Sequence, residues 1–153
     1  MRILVFSDSH GSSYKMRNAI ANHPEADVII HLGDGERDFT SLENEISCRR
    51  TVQVCGNCDL YSLLPVNEFI TVSGKKILCT HGHTELVKHG TAALIDKARR
   101  MGAHIVLYGH THESVTNYDN GLYIMNPGSI RNGEYGIIDI TSGGIMLLPI
   151  CSD

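Results

Sequence analysis

Short apolar runs recur along this chain, and each run ends abruptly at a cluster of polar residues. Their length and composition are typical of buried β-strands. The runs cover residues 3–6, 28–30, 51–54, 76–79, 105–108 and 122–125. Helical patterns separate the early runs, which indicates parallel strands that are connected by helices and buried on both faces. Because parallel strands end at the same edge of a sheet, where ligands bind in such folds, we expect the polar clusters to converge.

Helix and turn signals complete the predicted architecture. Ser12 or Ser13 can cap a helix that runs to about Asn22, and Thr91 can cap a second helix that ends before Gly102. A weaker helical pattern covers residues 39–46. Turn residues between pairs of strands predict three β-hairpins, formed by residues 69–72 with 76–79, 115–118 with 122–125, and 135–140 with 145–150. The residues therefore predict a mixed α/β fold with two sheets and the helices outside them.

Composition restricts the classes of protein to which the chain can belong. With 153 residues it has the usual length of a single domain, here residues 1–153. A formal net charge of −4 argues against a protein that binds nucleic acid as a scaffold. No apolar run is long enough for a membrane span or a signal peptide, so we expect the five cysteines to be free thiols in the cytoplasm. A homo-oligomer is an alternative to a monomer.

Oxygen and nitrogen donors dominate the polar clusters. The candidate metal ligands are Asp8, His10, Asp34, Asn57, His81, His110 and His112. Without a thiolate, this set suits Mn²⁺, Fe, Zn²⁺ or Ni²⁺ better than Ca²⁺, which prefers an all-oxygen shell. These side chains are too many for one ion and are sufficient for two if one carboxylate is shared. We therefore expect two divalent ions, with Mn²⁺ as the first choice and Ni²⁺, Fe, Zn²⁺ or Mg²⁺ as alternatives.

Several short motifs carry these residues in a particular order. The motifs are Asp8-Ser9-His10, Gly33-Asp34, Gly56-Asn57, His81-Gly82-His83 and Gly109-His110-Thr111-His112. One such motif would match many proteins by chance, but the ordered set resembles the calcineurin-like metallophosphoesterase family from residue 3 to about residue 130. The segment 126–129, which reads Asn-Pro-Gly-Ser, and the short chain resemble the small prokaryotic phosphodiesterase subgroup of that family.

This resemblance implies a fold, an activity and roles for the candidate residues. The implied fold is a four-layer αββα sandwich of two mixed β-sheets flanked by helices. One metal would be held by Asp8, His10 and His112, the second by Asn57, His81 and His110, and Asp34 would bridge the two together with the attacking water or hydroxide. The implied activity is hydrolysis of a small phosphate ester, with a phosphodiester favoured and a nucleotide-like compound among the candidates. The alternative is a non-catalytic scaffold that binds proteins, as the retromer subunit with this fold does.

The implied catalytic side chains are those of Asp34, Asn57, Cys58 and His83. Many members of the family have His at the position of Cys58, where it is thought to protonate the leaving group. A thiol has a pKa of roughly 8.5, against roughly 6.5 for imidazole, and is a poorer acid near neutrality. We therefore expect weak cleavage of esters with poor leaving groups. His83 shares a loop with His81, and we expect it to orient a ligand or to contact the substrate.

Other patterns have simpler interpretations. Asp8 could cap the first helix, and Asn57 could be a turn residue as well as a ligand. Cys55 and Cys58 form a C-x-x-C pattern, which in other proteins marks a redox or zinc site. No second C-x-x-C follows, which argues against a zinc ribbon and leaves a redox dithiol as an alternative. Arg131 could contact phosphate or lie exposed at the surface. The remaining histidines are predicted to be surface or packed residues, with His31 close enough to Asp34 to support it; they are His23, His31, His89 and His104.

Overall fold

Ten strands and four α-helices make up the fold in the computed structural model, which describes residues 1–152. The strands are β1 (Arg2–Phe6), β2 (Val28–His31), β3 (Arg50–Gln53), β4 (Asn67–Val72), β5 (Lys75–Thr80), β6 (Ile105–Leu107), β7 (Ser114–Asp119), β8 (Leu122–Pro127), β9 (Glu134–Thr141) and β10 (Gly144–Cys151). The helices are α1 (Ser13–Asn22), α2 (Glu36–Thr40), α3 (Glu43–Ile46) and α4 (Ala92–Arg100). Two short 3₁₀ helices cover Val87–His89 and Ile130–Asn132.

The strands form two five-stranded mixed sheets. The first sheet has the order β10-β9-β1-β2-β3, in which β1, β2 and β3 are parallel. The second has the order β4-β5-β6-β8-β7, in which β5, β6 and β8 are parallel. All three predicted hairpins are present, as β4 with β5, β7 with β8, and β9 with β10. Each sheet therefore has a central group of parallel strands with carboxyl ends at a common edge.

Alternation along the strands divides the apolar core into three parts. In β1, Ile3 and Val5 pack in a cluster that contains side chains of both sheets, so this cluster lies between the sheets. Leu4 and Phe6 point to the other face, where they pack with apolar side chains of α1, α2 and α3. A third cluster joins the outer face of the second sheet to α4. The layers are therefore helix, sheet, sheet and helix, which confirms the expected αββα sandwich.

Local details differ from the predictions at helix ends. The pattern over residues 39–46 is not one helix but two short ones, α2 and α3, and α2 begins earlier, at Glu36. The reason for the early start is Asp59, whose carboxylate accepts the backbone N–H groups of Gly35 and Glu36. Ser12 and Thr91 stand at the N-caps of α1 and α4 as predicted, but their side chains donate and accept no capping hydrogen bond. Within residues 1–152, no helix combines the length and the apolar character that a membrane span requires.

Candidate metal centre

The candidate ligands lie in the loops that follow the carboxyl ends of parallel strands. Asp8 and His10 follow β1, Asp34 follows β2, and Asn57 follows β3. His81 follows β5 in the second sheet, and the two remaining histidines, His110 and His112, follow β6. Facing sheets thus deliver side chains to one site from both sides, which is the convergence that the polar clusters predict.

One group of donors consists of Asp8, His10 and His112, whose nearest oxygen and nitrogen atoms lie within 4.8 Å of one another. Nε2 of His112 is 3.1 Å from Oδ1 of Asp8 and 3.3 Å from Nε2 of His10. The Asp8 side chain is fully buried, whereas 44% of the His112 side chain is exposed. This group therefore has an inner carboxylate and an outer edge that solvent reaches.

A second group consists of Asp34, His81 and His110, again with donor atoms within 4.8 Å of one another. Nε2 of His81 lies 3.4 Å from Oδ2 of Asp34 and 3.1 Å from Oδ1 of Asn57. Nδ1 of His81 lies 2.7 Å from the backbone oxygen of Leu32, which fixes the ring and leaves Nε2 directed into the site.

Asp34 lies between the two groups. Its Oδ2 atom is 3.9 Å from Nε2 of His10 in the first group and 3.4 Å from Nε2 of His81 in the second. Its other oxygen, Oδ1, accepts the backbone N–H of Cys58 over 2.7 Å. One carboxylate oxygen is therefore anchored by the protein, while the second faces both groups of imidazoles.

The carboxylate of Asp8 fits a bound cation. Its Oδ2 atom accepts hydrogen bonds from Oγ of Ser7 at 2.5 Å and from the backbone N–H of His110 at 3.0 Å. Its Oδ1 atom is buried and accepts no hydrogen bond among the described residues. Burying an ionised oxygen without a hydrogen bond is costly, and a metal ion held between this oxygen and the nearby imidazoles would remove that cost. The donor set of carboxylate, amide and imidazole atoms has the chemistry that a divalent transition metal binds.

Backbone conformation also sets these loops apart. Five of the candidate ligands have a positive φ, a region in which residues other than glycine are uncommon; they are Asp8 (54°), His10 (40°), Asp34 (58°), His110 (71°) and His112 (59°). Each such residue costs about 1–3 kcal/mol, and strain of this kind clusters at functional sites. Unfavourable backbone conformations therefore occur at residues whose donor atoms are directed towards one another.

Asp59 holds the loops of Asp34 and Asn57 together. Its Oδ2 atom accepts the backbone N–H groups of Asp34 and Gly56, each over 2.8 Å. The loops also touch directly, since a Cβ atom added to Gly56 would lie 2.1 Å from Oδ1 of Asp34. Sequence reasoning missed this role of Asp59, because its partners are backbone groups from a distant part of the chain.

Side chains of the segment 126–129 hydrogen-bond the loop of residues 109–112 and the loop of Asp8. Nδ2 of Asn126 donates to the backbone oxygen of Gly109 at 3.1 Å and to Oγ1 of Thr111 at 2.9 Å. Oγ of Ser129 donates to the backbone oxygen of Asp8 at 2.7 Å. These buried contacts give the Asn-Pro-Gly-Ser motif a structural explanation that the sequence alone did not provide.

The pKa values of the buried groups follow from burial and from their neighbours. Burial opposes ionisation of Asp34, but a hydrogen bond to His81 and the charge of that residue outweigh it and lower the pKa of the carboxyl. Burial lowers the pKa of His81, but Asp34 and Asp8 outweigh burial and raise it. Burial and the charge of His81 both lower the pKa of His83 and of His110. A carboxyl with a lowered pKa is ionised near neutrality, as metal binding requires.

Cys58 and His83 lie at the margins of the site. Burial first, and then the hydrogen bond and charge of Asp34, raise the pKa of the Cys58 thiol to about 11, so the thiol keeps its proton near neutrality. The His83 ring is 5.4 Å from that of His81, centroid to centroid, and its Nδ1 atom is buried without a hydrogen-bond partner among the described residues. Cys55 and Cys58 are both free thiols.

The other residues singled out in the sequence are placed as follows. Arg131 is exposed in the second 3₁₀ helix. His23 contacts the hydroxyl of Tyr135, and His104 accepts a backbone hydrogen bond from Lys76, so both are packed residues. His89 is exposed. His31 is fully buried, and its Nδ1 atom accepts the backbone N–H of Gly33, next to Asp34.

The sandwich and its cluster of Asp and His donors are those of a metal-binding α/β protein. A family model described as "Calcineurin-like phosphoesterase superfamily domain" matches residues 1–143. The chain therefore belongs to the calcineurin-like phosphoesterase superfamily, which confirms the resemblance of its motifs.

Several known proteins are similar to this chain. The probable metallophosphoesterase YsnB of Bacillus subtilis is 33% identical over 133 residues, which cover 86% of this chain and 76% of that protein. Phosphodiesterase MJ0936 of Methanocaldococcus jannaschii is 30% identical over 145 residues, covering 84% and 83%. A crystal structure of a predicted phosphoesterase from Streptococcus pneumoniae superposes with a TM-score of 0.78 at 25% identity, covering 97% of both chains. Vacuolar protein sorting-associated protein 29 of Saccharomyces cerevisiae is 33% identical over 154 residues, covering 84% of this chain and 54% of that protein.

Proposed function

We propose that this protein is a metal-dependent phosphodiesterase that binds two divalent ions, with Mn²⁺ as the first choice. The observation that carries the proposal is the buried Oδ1 atom of Asp8, which accepts no hydrogen bond among the described residues and faces Nε2 of His112. A carboxylate oxygen in this position is stabilised by a cation. The similarity to Phosphodiesterase MJ0936 and to YsnB supports the same class of activity.

The two groups of donors give each ion its own side chains. Asp8, His10 and His112 would hold the first ion, and His81, His110 and Asn57 would hold the second. Asp34 would be shared, because its Oδ2 atom faces one imidazole of each group. Ions of this kind polarise the phosphoryl oxygens of an ester and lower the pKa of a bound water to near neutrality.

The charges of the site favour a phosphate ester. Two divalent ions beside the carboxylates of Asp8 and Asp34 leave a net charge of about +2, which attracts an anion even though the whole chain carries −4. The protein contributes by fixing its donors in advance. Ser7 and the backbone of His110 orient the Asp8 carboxylate, and Asp59 fixes the loop of Asp34. Such preorganisation removes reorganisation from the chemical step.

Departure of the leaving group or the shape of the pocket, rather than attraction to the metals, would set a preference for diesters. A monoester dianion carries more negative charge than a diester, so attraction to the site would favour the monoester at least as strongly. The Cys58 thiol has a raised pKa of about 11 and is a weak proton donor to an alkoxide. Burial, and then the charge of His81, lower the pKa of His83. Its imidazole is therefore neutral near pH 7 and is also a weak proton donor. Esters with good leaving groups therefore suit this site best, and a preference for diesters over monoesters of the same alcohol would come from the shape of the cleft beside the donors.

The free cysteines support a location in the cytoplasm. All five thiols are free, and Cys55 and Cys58 form no disulfide although they lie three positions apart in one loop. Free thiols persist in reducing compartments. We include a cytoplasmic location in the proposal on this ground.

A protein-binding scaffold is the second candidate function. The similarity to vacuolar protein sorting-associated protein 29 favours it, because the chain shares 33% identity with that protein as well. Metal binding alone would not separate the two functions, since a scaffold can keep a metal site. The separating measurement is turnover.

The test measures hydrolysis by protein from which metals have been removed by a chelator. Mn²⁺, Ni²⁺, Zn²⁺ and Mg²⁺ are added back singly, with bis(p-nitrophenyl) phosphate and p-nitrophenyl phosphate as the diester and the monoester. We expect turnover to return with metal, to be highest with Mn²⁺, and to favour the diester. Absence of turnover with every metal, in folded protein that binds the ions, would favour the scaffold.

The bridging role of Asp34 is tested by counting bound metal. Replacing Asp34→Ala should weaken the binding of both ions, because the shared oxygen faces both groups of donors. Asp96→Ala is the matched control, since Asp96 lies on α4 with 66% of its side chain exposed. Two tightly held ions in the Asp34 variant would contradict the assignment.

A further inference from the structure

A cleft of about 570 Å³ opens beside the metal centre. Its wall shares His10, Asp34 and Cys58 with the centre. The rest of its lining comes from the start of α2 and from the loop after Asn57, including Glu36, Arg37, Asp38, Leu60, Tyr61 and Ser62. Clefts of this volume accommodate drug-sized ligands, so the space exceeds the needs of a phosphoryl group alone. The organic part of an ester held at the centre has room here.

The loop at the rim of this cleft carries large apolar side chains into solvent. Leu60 is 76% exposed, Tyr61 is 99% exposed and Leu63 is 100% exposed. Single exposed apolar residues are common on protein surfaces, but adjoining ones mark places where a ligand or partner binds. Leu60 and Tyr61 line the cleft, whereas Leu63 does not. Two of the three therefore stand where a substrate bound at the metals would extend.

Hydrogen bonds fix this loop rather than leaving it free. The backbone N–H of Cys55 donates to the oxygen of Pro65 at 3.0 Å and closes the base of the loop. The backbone N–H of Ser62 donates to the oxygen of Asp59 at 3.3 Å, and the Asp59 carboxylate in turn holds the Asp34 loop. The Tyr61 backbone is thus presented at a defined place beside the metal centre, which lowers the entropy cost of using its ring as a contact.

The charges in the cleft indicate what kind of group fits it. Asp59 accepts four backbone N–H groups, and Asp38 accepts hydrogen bonds from Oγ of Ser9 and the N–H of Gly11. The side chains of Glu36 and Arg37 carry opposite charges and cancel. The carboxylates of Asp38 and Asp59 remain, so beyond the metal ligands the cleft carries a net charge of about −2, and the side chains of Glu36 and Arg37 can hydrogen-bond hydroxyl groups. The cleft suits an uncharged substituent with hydroxyls better than a second polyanion.

We propose that this cleft binds an aromatic substituent of the phosphate ester, carried on a hydroxylated stem as in a nucleoside, and that the ring stacks on Tyr61. The inference rests on the proposed function, because the ester phosphate is taken to lie at the metal centre. Stacking of a flat ring on an aromatic side chain does not depend on charge. Polar groups of the cleft then hydrogen-bond the hydroxyls of the stem. Tyr61 is thus a specificity-determining residue at the rim of the site.

The experiment compares two ligands that differ at C1 of the sugar, where one carries an aromatic ring and the other a hydroxyl. Adenosine 5′-monophosphate and ribose 5-phosphate have the same phosphate and the same sugar, and their binding to the Mn²⁺-loaded protein is measured by calorimetry. We expect the wild type to bind the adenosine compound about tenfold more tightly, the magnitude of one stacking contact. Tyr61→Ala should remove the difference, and Tyr61→Phe should keep it.

Leu63→Ala is the matched control, because Leu63 is equally exposed in the same loop but does not line the cleft. It should leave the difference unchanged. Equal binding of the two ligands by the wild type, failure of both to bind, or an unchanged difference in Tyr61→Ala would overturn the inference. Turnover of bis(p-nitrophenyl) phosphate is recorded with the same samples. Tighter binding of the adenosine compound without turnover would contradict the proposed activity but not the proposed role of the cleft. Turnover without tighter binding of the adenosine compound would contradict the role of the cleft but not the activity.

Discussion

The carboxylate of Asp59 accepts the backbone N–H of Asp34 over 2.8 Å, although 25 positions separate the two residues. The same carboxylate accepts N–H groups of Gly35, Glu36 and Gly56. It therefore joins the loop of Asp34, the proposed shared ligand, to the loop of Asn57 and also accepts the first N–H groups of α2. Four donors on one carboxylate leave it no capacity to bind metal or substrate, so its role is to position its neighbours.

Replacing Asp59→Asn tests this positioning role. The amide keeps the shape of the side chain but places an NH₂ group against backbone N–H donors, so part of the network is lost. We expect metal affinity to fall by about tenfold to a hundredfold, the range seen when groups that orient metal ligands are removed. Affinity is measured by competition with a chelator.

Glu36→Gln is the control for Asp59→Asn, because it removes a carboxylate charge from the same cleft without touching the network. It should leave metal affinity nearly unchanged. Recovery of turnover in Asp59→Asn at high Mn²⁺ would support a defect in metal binding. Equal losses in both variants would indicate that charge, rather than hydrogen bonding, is responsible.

The strands and candidate ligands could be predicted because their signals are local. A buried strand that stops at Asp8 or Asp34 is visible in a few consecutive residues, and parallel strands bring such ends together. The role of Asp59 was not predictable in this way, since it depends on backbone groups that only the fold brings close. The same holds for Asn126 and Ser129, which bond to loops from distant parts of the chain. Local patterns indicate donors, whereas the contacts that orient them require the tertiary structure.

The start of α2 illustrates a second limit. Its sequence has no strong capping residue, since Gly35 stands at the N-cap and provides no side chain. A tertiary contact from Asp59 satisfies the N–H groups there instead. Helical periodicity could locate the helix roughly but could not give its first residue, because the capping group lies far along the chain.

Close packing of the Asp34 and Asn57 loops predicts a strong effect of Gly56→Ala. The added Cβ atom would lie 2.1 Å from Oδ1 and 2.5 Å from the backbone nitrogen of Asp34, so Asp34 must move. We expect a loss of about 1–3 kcal/mol in the free energy of unfolding, as for other overpacked sites, together with reduced metal content and turnover. Thermal unfolding and metal analysis check this outcome.

Gly143→Ala is the control for Gly56→Ala. The nearest atom to its added Cβ is Oγ1 of Thr141, at an ordinary distance of 3.5 Å. Stability, metal content and turnover should stay close to those of the wild type. Normal metal content and turnover in Gly56→Ala would show that the two loops can separate without harm to the site.

Burial of His31 predicts a pH dependence of stability. Desolvation lowers its pKa from 6.5 to about 4, although the negative charges of Asp59, Asp8 and Asp38 oppose this shift. Between these two pH values the unfolded chain takes up a proton at this residue and the folded chain does not. The free energy of unfolding should therefore decrease as pH falls through this window, by roughly 3 kcal/mol from this residue.

The measurement compares the wild type and His31→Gln in a chelator, so that metal binding does not contribute. Urea unfolding is followed between about pH 4 and pH 7, which spans the ordinary pKa of histidine. His81, whose pKa is raised by Asp34 and Asp8 against the effect of burial, titrates in both proteins and cancels in the comparison. The variant should show the smaller dependence on pH. Parallel curves for the two proteins would contradict the assignment of this effect to His31.

The last prediction concerns Cys58, whose thiol pKa of about 11 makes it a weak acid at the site. A nitrophenolate leaves without a proton, whereas an alkoxide needs one. Cys58→His should therefore raise turnover of alkyl monoesters by more than it changes turnover of aryl diesters, by up to about 10²-fold if the imidazole acts as a general acid. The measurement uses aryl and alkyl monoesters and diesters at saturating Mn²⁺.

Cys58→Ser separates the gain of an imidazole from the loss of a thiol. A hydroxyl is no better an acid than the thiol near neutrality, so this variant should not improve cleavage of alkyl esters. The position matters because Cys58 lines the cleft beside His10 and Asp34, where a departing group at the metal centre has room. Equal changes across all four substrates in Cys58→His would show that position 58 does not govern protonation of the leaving group. A wild type that already prefers alkyl monoesters would contradict the proposed preference for diesters as well.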